Sequence, residues 1–163
     1  MDFPLRPHTH LLVIAGSRAF GVHHAESDVD VKGVAIPPAA WVHGCMRQFE
    51  QAAEATDIAG FVGDLRSEER DVVARTKLEG TVFDLRKFLR LAAEANPNII
   101  EVLFSRDEEV RLITGVGRRL RAARSLFLSA RARHTFAGYA TSQLKRIETH
   151  RRWLLTPPDH EPT

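Results

Sequence analysis

The chain has 163 residues and a single cysteine, and its 23 Lys/Arg against 21 Asp/Glu leave a formal charge of only +2. That length suits one domain that buries a core without covalent or metal staples. One cysteine excludes an internal disulfide, and no apolar run approaches the ~20 residues a membrane span needs. The opening MDFPLRPHTH lacks the apolar core of a secretory leader, so the expected compartment is the cytoplasm. Cys45, beside Gly44, reads as a small hydrophobe.

Charge is spread unevenly. Residues 1–84 carry 8 Lys/Arg against 13 Asp/Glu, residues 85–163 carry 15 against 8, and Arg118 to Arg152 holds ten basic residues opposed only by Glu148. An acidic half joined to a basic half suits a polyanionic substrate, although a basic run by itself is explained equally well as a solvated helix face.

In chain order, the apolar, β-branched run Leu11 to Ala15 stops at Gly16, the pattern of a buried strand ending in a turn. Gly16 has no Cβ and can take φ > 0 close to a ligand, and the Ser17 hydroxyl with the turn's N–H groups makes a phosphate cradle. A second strand opens at Ser27-Asp28-Val29-Asp30-Val31 and runs to Ile36, ending at Pro37-Pro38. Period-2 alternation sends Asp28 and Asp30 to one face. Two such carboxylates repel unless a cation sits between them, and Mg²⁺, which takes one or two carboxylates and leaves room for phosphates, suits the pair. A calcium loop is excluded, because its fifth position would be Lys32 and its twelfth Ala39; no Gly-Lys-Ser/Thr follows Gly21 to make a Walker loop. Ordinary turn chemistry accounts for a bare D-x-D, and less well for one that follows a strand and a Gly-Ser turn.

From Pro37 to Thr76 the chain reads as mostly loop with one short helix near Gln48 to Ala55, and Trp41 and Phe49 read as packing residues. Val72 to Phe83 predicts one or two strands. Asp84 stands at a helix N-cap, with Leu85, Phe88, Leu89 and Ala92 at helical spacing before Asn96-Pro97. Asn98 to Phe104 is too short to assign. A helix is predicted from Asp107, its middle weakened by Gly115 and Gly117. A last helix spans about Ser129 to Leu154, with Phe136, Ala140, Leu144 and Ile147 on one face and Arg133, Lys145, Arg146, Arg151 and Arg152 on others. His8 and His10 are expected on one strand face and His23 and His24 in an exposed loop, and these four lack the spacing of a zinc site.

Gly16, Ser17, Phe20, Gly21, Ser27, Asp28, Asp30 and Gly33 together resemble the polymerase-beta-type nucleotidyltransferase superfamily. The stretches Phe83 to Phe104 and Phe136 to Trp153 are similar to its RNA-ligase-associated group of predicted nucleotidyltransferases, so the resemblance covers most of the chain. It implies an α/β (α+β) fold: a mixed twisted sheet with packed helices and a C-terminal helical layer, divided as a core over 1–104, a basic helical region over 105–156 and a tail over 157–163. It also implies that Gly16 and Ser17 hold the β- and γ-phosphates of a nucleoside triphosphate such as ATP, while Asp28 and Asp30 bind Mg²⁺ or Mn²⁺. A hydroxyl acceptor, expected to be an RNA end met by Lys145 and Arg146, then attacks the α-phosphorus and releases pyrophosphate. The superfamily's third carboxylate falls on Glu79, with Asp84 as the alternative; the group usually has Asp followed by an apolar residue, where this chain has Glu followed by Gly80. Members generally run on past a segment like PPDHEPT, which implies a truncated or a naturally short version here. Two alternatives stay open: a nucleic-acid-binding or regulatory module with weak or no turnover, and nucleotide transfer to a protein side chain. The nucleotide, the acceptor and the oligomeric state are not legible in the sequence.

Overall fold

The computed structural model describes residues 3–44 and 48–155, with the side chains of 152–154 left aside. Cys45 and the tail at Pro157-Pro158 lie outside the described residues. In order the chain forms β1 (Thr9–Ala15), α1 (Gly16–Ala19), β2 (Val29–Ala35), α2 (Ala39–His43), β3 (Gln51–Ala52), α3 (Ala55–Ile58), α4 (Ser67–Val73), β4 (Leu78–Asp84), α5 (Leu85–Ala93), α6 (Pro97–Phe104), β5 (Val110–Ile113), α7 (Gly115–Ala122) and α8 (Arg131–Leu155). The five strands make one mixed sheet in the order β3-β4-β2-β1-β5, in which β2 and β4 are parallel and every other pair antiparallel. This is the mixed α/β architecture that the sequence predicts.

The sheet is buried on both faces, which is why its central strands read as unbroken apolar runs. Leu12, Ile14, Val29, Val31 and Val82 pack with Phe3, Phe49, Ile58, Phe61 and Leu65 on one face. Leu11, Val13 and Val34 pack with Phe88, Ala92, Ile99 and Leu103 from α5 and α6 on the other. Asn96 separates those two helices by accepting the Asn98 N–H on its side chain, with Pro97 opening α6. Asn98 to Phe104 is therefore helical.

Three local expectations change. The stretch from Pro37 to Thr76 is richer than a loop: it holds three short helices, a 3₁₀ segment at Ala59–Asp64 and the two-residue strand β3. Val72 and Val73 close α4 instead of opening a strand. The helix predicted from Asp107 is a single 3₁₀ turn followed by β5 and then α7. Its acidic start is used locally, since Glu109 accepts from the Arg106 N–H at 2.7 Å and from Arg106 Nε at 2.8 Å. The apolar Val110, Leu112 and Ile113 then pair with β1, and Thr114 caps α7 by accepting the Gly117 N–H. The sheet thus extends past residue 104, the expected end of the core. His8 sits in a 3₁₀ turn ahead of β1, so only His10 is on the strand, its Nδ1 2.9 Å from Thr114 Oγ1.

Glu69 ties the crossover to the far strand. Its carboxylate is buried, accepts from the Arg66 N–H at 2.9 Å and from Arg111 Nε at 2.7 Å, and makes a second contact with Arg111 Nη2. Burial alone would raise its carboxyl, but the Arg111 and Arg66 hydrogen bonds and charges outweigh it and hold the carboxyl below its ordinary value. A carboxyl so depressed stabilises the fold above its unfolded value and loses that contribution as pH falls through the folded one. Glu69→Gln strands the Arg111 charge and should cost roughly 3–5 kcal/mol at neutral pH. Urea titrations should show that gap at pH 7 and a shrinking gap below the ordinary carboxyl value of 4.5.

Candidate active site

The parallel pairing of β2 with β4 places Asp30 opposite Glu79, Lys32 opposite Thr81 and Val31 opposite Gly80. Val29 and Val31 face one core, so alternation turns Asp30 and Lys32 to the other side of the sheet, where α6 packs. There a cleft of about 560 Å³ is bordered by Gly16, Asp30, Lys32, Glu79 and Thr81, with Ala53 and Ala55 on its rim.

Two glycines make that approach possible. Gly16 has φ +61°, and a Cβ there would lie 2.1 Å from Asp30 Oδ2, so the turn after β1 rests directly on the carboxylate. At Gly80 a Cβ would lie 2.2 Å from the Val31 carbonyl oxygen. A side chain at position 80 would push β4 away from β2, and with it Glu79 from Asp30. The departure from the family pattern at this position is thus a packing requirement of this sheet.

Asp30 carries the electrostatic strain of the site. Its carboxyl is raised above the ordinary value by burial, then by the neighbouring charges of Glu79 and Asp28, with Lys32 and Arg18 pulling weakly the other way. Lys32 is lowered by its own burial, against the pull of Glu101 and Asp30. Its Nζ lies 3.2 Å from Asn98 Oδ1 and 4.0 Å from Glu101 Oε2.

Asp28 stands just ahead of β2, outside the strand. Its Oδ1 accepts the Lys77 N–H at 3.2 Å, and it borders a neighbouring hollow with Glu26 and Arg75 instead of the Asp30 cleft. Arg18 of α1 fixes this approach by donating to the Asp28 carbonyl at 3.2 Å and to the Ser27 carbonyl at 2.9 Å. Ser17 follows Gly16 in α1 but is not among the residues bordering the cleft. His24 is occupied within its own loop, donating its N–H to Ser27 Oγ and accepting the Glu26 N–H on Nδ1. Among the described residues no three His, Cys, Asp or Glu side chains form a ready metal cluster.

Asp84 lies at the opposite end of β4, paired with Ala35 and roughly 16 Å from Glu79 along the strand. It occupies the N-cap position of α5, but its buried carboxylate accepts from Arg86 Nε at 2.9 Å and does not cap the helix. Lys145 and Arg146 are exposed on α8, about 15 Å along that helix from Thr135, whose hydroxyl donates to the Ala95 carbonyl. They border neither the Asp30 cleft nor the cavity next to it. The residues that sequence reasoning gave no role at the site are Lys32, Arg18 and Asn98. Lys32 was within reach, since it stands two positions after Asp30 on the same face.

In the cleft, then, a glycine turn rests on Asp30 and a second acid, Glu79, stands on the parallel neighbour. The family model described as the RNA repair pathway DNA polymerase beta family matches residues 8–155, and the chain belongs to that family. No curated protein and no solved structure matches the chain. Among the described residues no helix is long and apolar enough to cross a membrane.

The sign of the Asp30 strain has a measurable consequence. A carboxyl raised in the folded state stabilises the fold below its unfolded value of 3.8 and loses that contribution as pH rises through the folded value. Asp30→Asn should therefore melt higher than the parent protein at pH 7, with the two curves converging below about pH 3.8. Asp84→Ala should instead lower stability by about 1–3 kcal/mol, because it strips a buried acceptor from Arg86. Calorimetric scans of both variants across this pH range check the pair.

Proposed function

We propose that the protein transfers a nucleoside monophosphate from a nucleoside triphosphate to a hydroxyl acceptor, an RNA end, with release of pyrophosphate. The observation that carries this reading is the meeting of Gly16, Asp30 and Glu79 on one cleft, in a chain of a polymerase-beta family. The acceptor oxygen forms its bond to the α-phosphorus as the bond to the bridging oxygen of the pyrophosphate breaks. Glu79, the more exposed of the paired acids, stands where it can take the acceptor's proton. The backbone at Gly16 and Ser17 receives the β- and γ-phosphates, and its close seat on Asp30 keeps phosphate and carboxylate in register.

An all-oxygen donor set in which the Glu79 and Asp28 charges add to burial in raising the Asp30 carboxyl fits a hard divalent ion that takes one or two carboxylates and fills its remaining positions with water and phosphate oxygens. Asp30 and Asp28 would hold Mg²⁺ or Mn²⁺, which supplies a more acidic acceptor hydroxyl and neutralises the leaving pyrophosphate. To hold the ion with Asp30, the Asp28 carboxylate, which borders the neighbouring hollow, would have to give up the Lys77 N–H and turn towards the cleft.

The test is label transfer from α-³²P nucleoside triphosphate to a 3′-hydroxyl RNA. Asp30→Asn should fall to background while folding as well as the parent, and Glu79→Gln should lose about 10²–10⁴-fold. Asp84→Asn should retain the rate. Full activity in Asp30→Asn protein overturns the reading, and loss in Asp84→Asn with retention in Glu79→Gln exchanges the two acids.

The basic C-terminal residues have a separate readout. If Lys145 and Arg146 meet the acceptor's phosphates, log K for single-stranded RNA should fall with log salt by about 0.7 per contact, with about four to six contacts in all. Lys145→Ala with Arg146→Ala should flatten that slope equally for every sequence, because phosphate contacts carry no base information. A slope near zero in fluorescence anisotropy would leave the basic run as a solvated face and bring protein-side-chain transfer forward.

A further inference from the structure

A second cavity, of about 260 Å³, lies beside the acidic cleft on the same side of the sheet. Its walls are largely apolar, with Val13 from β1, Ala19 and Phe20 from α1 and the residue after it, and Val102 and Phe104 from α6, while Glu101, Arg106 and Glu109 add charged groups. The two hollows share Ala15, Gly16 and Lys32 as their common border, so a single molecule that occupied both would lie against Gly16 and the Lys32 ammonium. Such a molecule suits an apolar head in the first hollow and, where it meets the Lys32 ammonium and a cation held by the acids, an anionic tail in the second. A nucleoside triphosphate has that form.

We propose that this cavity is the base subsite of the nucleotide and that Lys32, at its mouth, holds the phosphate nearest the sugar. The inference rests on the nucleotidyl-transfer reading above and adds to it where the donor sits and which residue positions it. Phe20 is 63 % exposed and Phe104 39 % exposed, unusual for large aromatics that border a cavity, so each keeps accessible aromatic surface of the kind on which any base stacks. The Phe104 ring is steadied by the Arg124 guanidinium 5.3 Å from its centroid. The α1 side of the cavity is fastened by Arg106, whose Nη2 donates to the Ala19 carbonyl at 3.3 Å. At the junction, an ammonium has three donors. Asn98 Oδ1 receives one at 3.2 Å, and the nearest carboxylate of α6, Glu101, stands at 4.0 Å, so Lys32 is oriented by α6 while keeping donors for a phosphate oxygen. A phosphate held there sits on the same face as Asp30, two residues away along β2.

The test separates base from phosphates by titrating the full chain calorimetrically, at constant Mg²⁺ and without RNA, with ATP and with inorganic tripolyphosphate. Ala19→Leu fills the cavity and Phe20→Ala removes an exposed stacking face at little risk to folding, which melting curves monitor. Both should weaken ATP by about 10-fold or more and leave tripolyphosphate within about 2-fold. Lys32→Met should weaken both ligands, and Lys32→Arg should restore part of each. ATP affinity unchanged in Ala19→Leu and Phe20→Ala overturns the base subsite while the transfer reading stands. The same holds if the two variants impair only transfer to RNA, since the cavity would then serve the acceptor. A parent protein that binds neither ligand overturns both readings.

Discussion

The site depends on one close contact between backbones. β2 and β4 run parallel with the Val31 carbonyl against the Cα of Gly80, and that proximity makes Asp30 and Glu79 neighbours. Like charges on adjacent strands push those strands apart, so the pairing must be held by something other than the site itself. The holding force comes from apolar contacts on both faces: Val29, Val31 and Val82 against the crossover segment, Val34 and Phe88 with α6 on the other side. Burial of this kind contributes about 25 cal/mol per Å² of apolar surface and does not depend on the charge state of the acids. The sheet can therefore carry an electrostatically unfavourable pair without coming open.

The same logic places the residues of the cleft at the edge of a packed body. Gly16 ends β1 and rests on Asp30, Arg18 holds the loop that leads into β2, and Lys32 is turned by Asn98 and Glu101 of α6. Each of these residues is anchored by an element that is itself packed. Pre-set geometry of this sort lowers the reorganisation needed when a polyanion binds. The crossover is fastened independently, through Glu69 and Arg111, at the opposite flank of the sheet from β3.

How much of this was legible in the sequence varied with the kind of signal. The β1 strand, the turn at Gly16, the Asp30 strand and the long α8 were all readable, because each is written in local terms: an apolar run, a glycine, an alternation, a helical spacing. The position of Glu79 relative to Asp30 was implied only by resemblance, since strand register is a long-range property. The need for Gly80 was not legible, because what it must fit, the Val31 carbonyl, stands on another strand. β5 was mistaken for helix for a related reason: the acidic residues 107–109 are a true helix-start signal, spent here on one turn around Arg106, and pairing with β1 then decides the next four residues. The segment 37–76 has no period to read, as its helices are each one or two turns long and are held by burial of single residues such as Ile58 and Phe61.

The outer strands, finally, bear on how the molecule behaves at high concentration. A sheet that ends in a long flat strand offers a row of unpaired N–H and C=O groups on which another chain can polymerise. Here the borders are the two-residue β3 and the four-residue β5, the latter carrying Arg111 in its middle. Border strands this short, one of them carrying an arginine, are a recognised way in which a sheet blunts edge-to-edge addition.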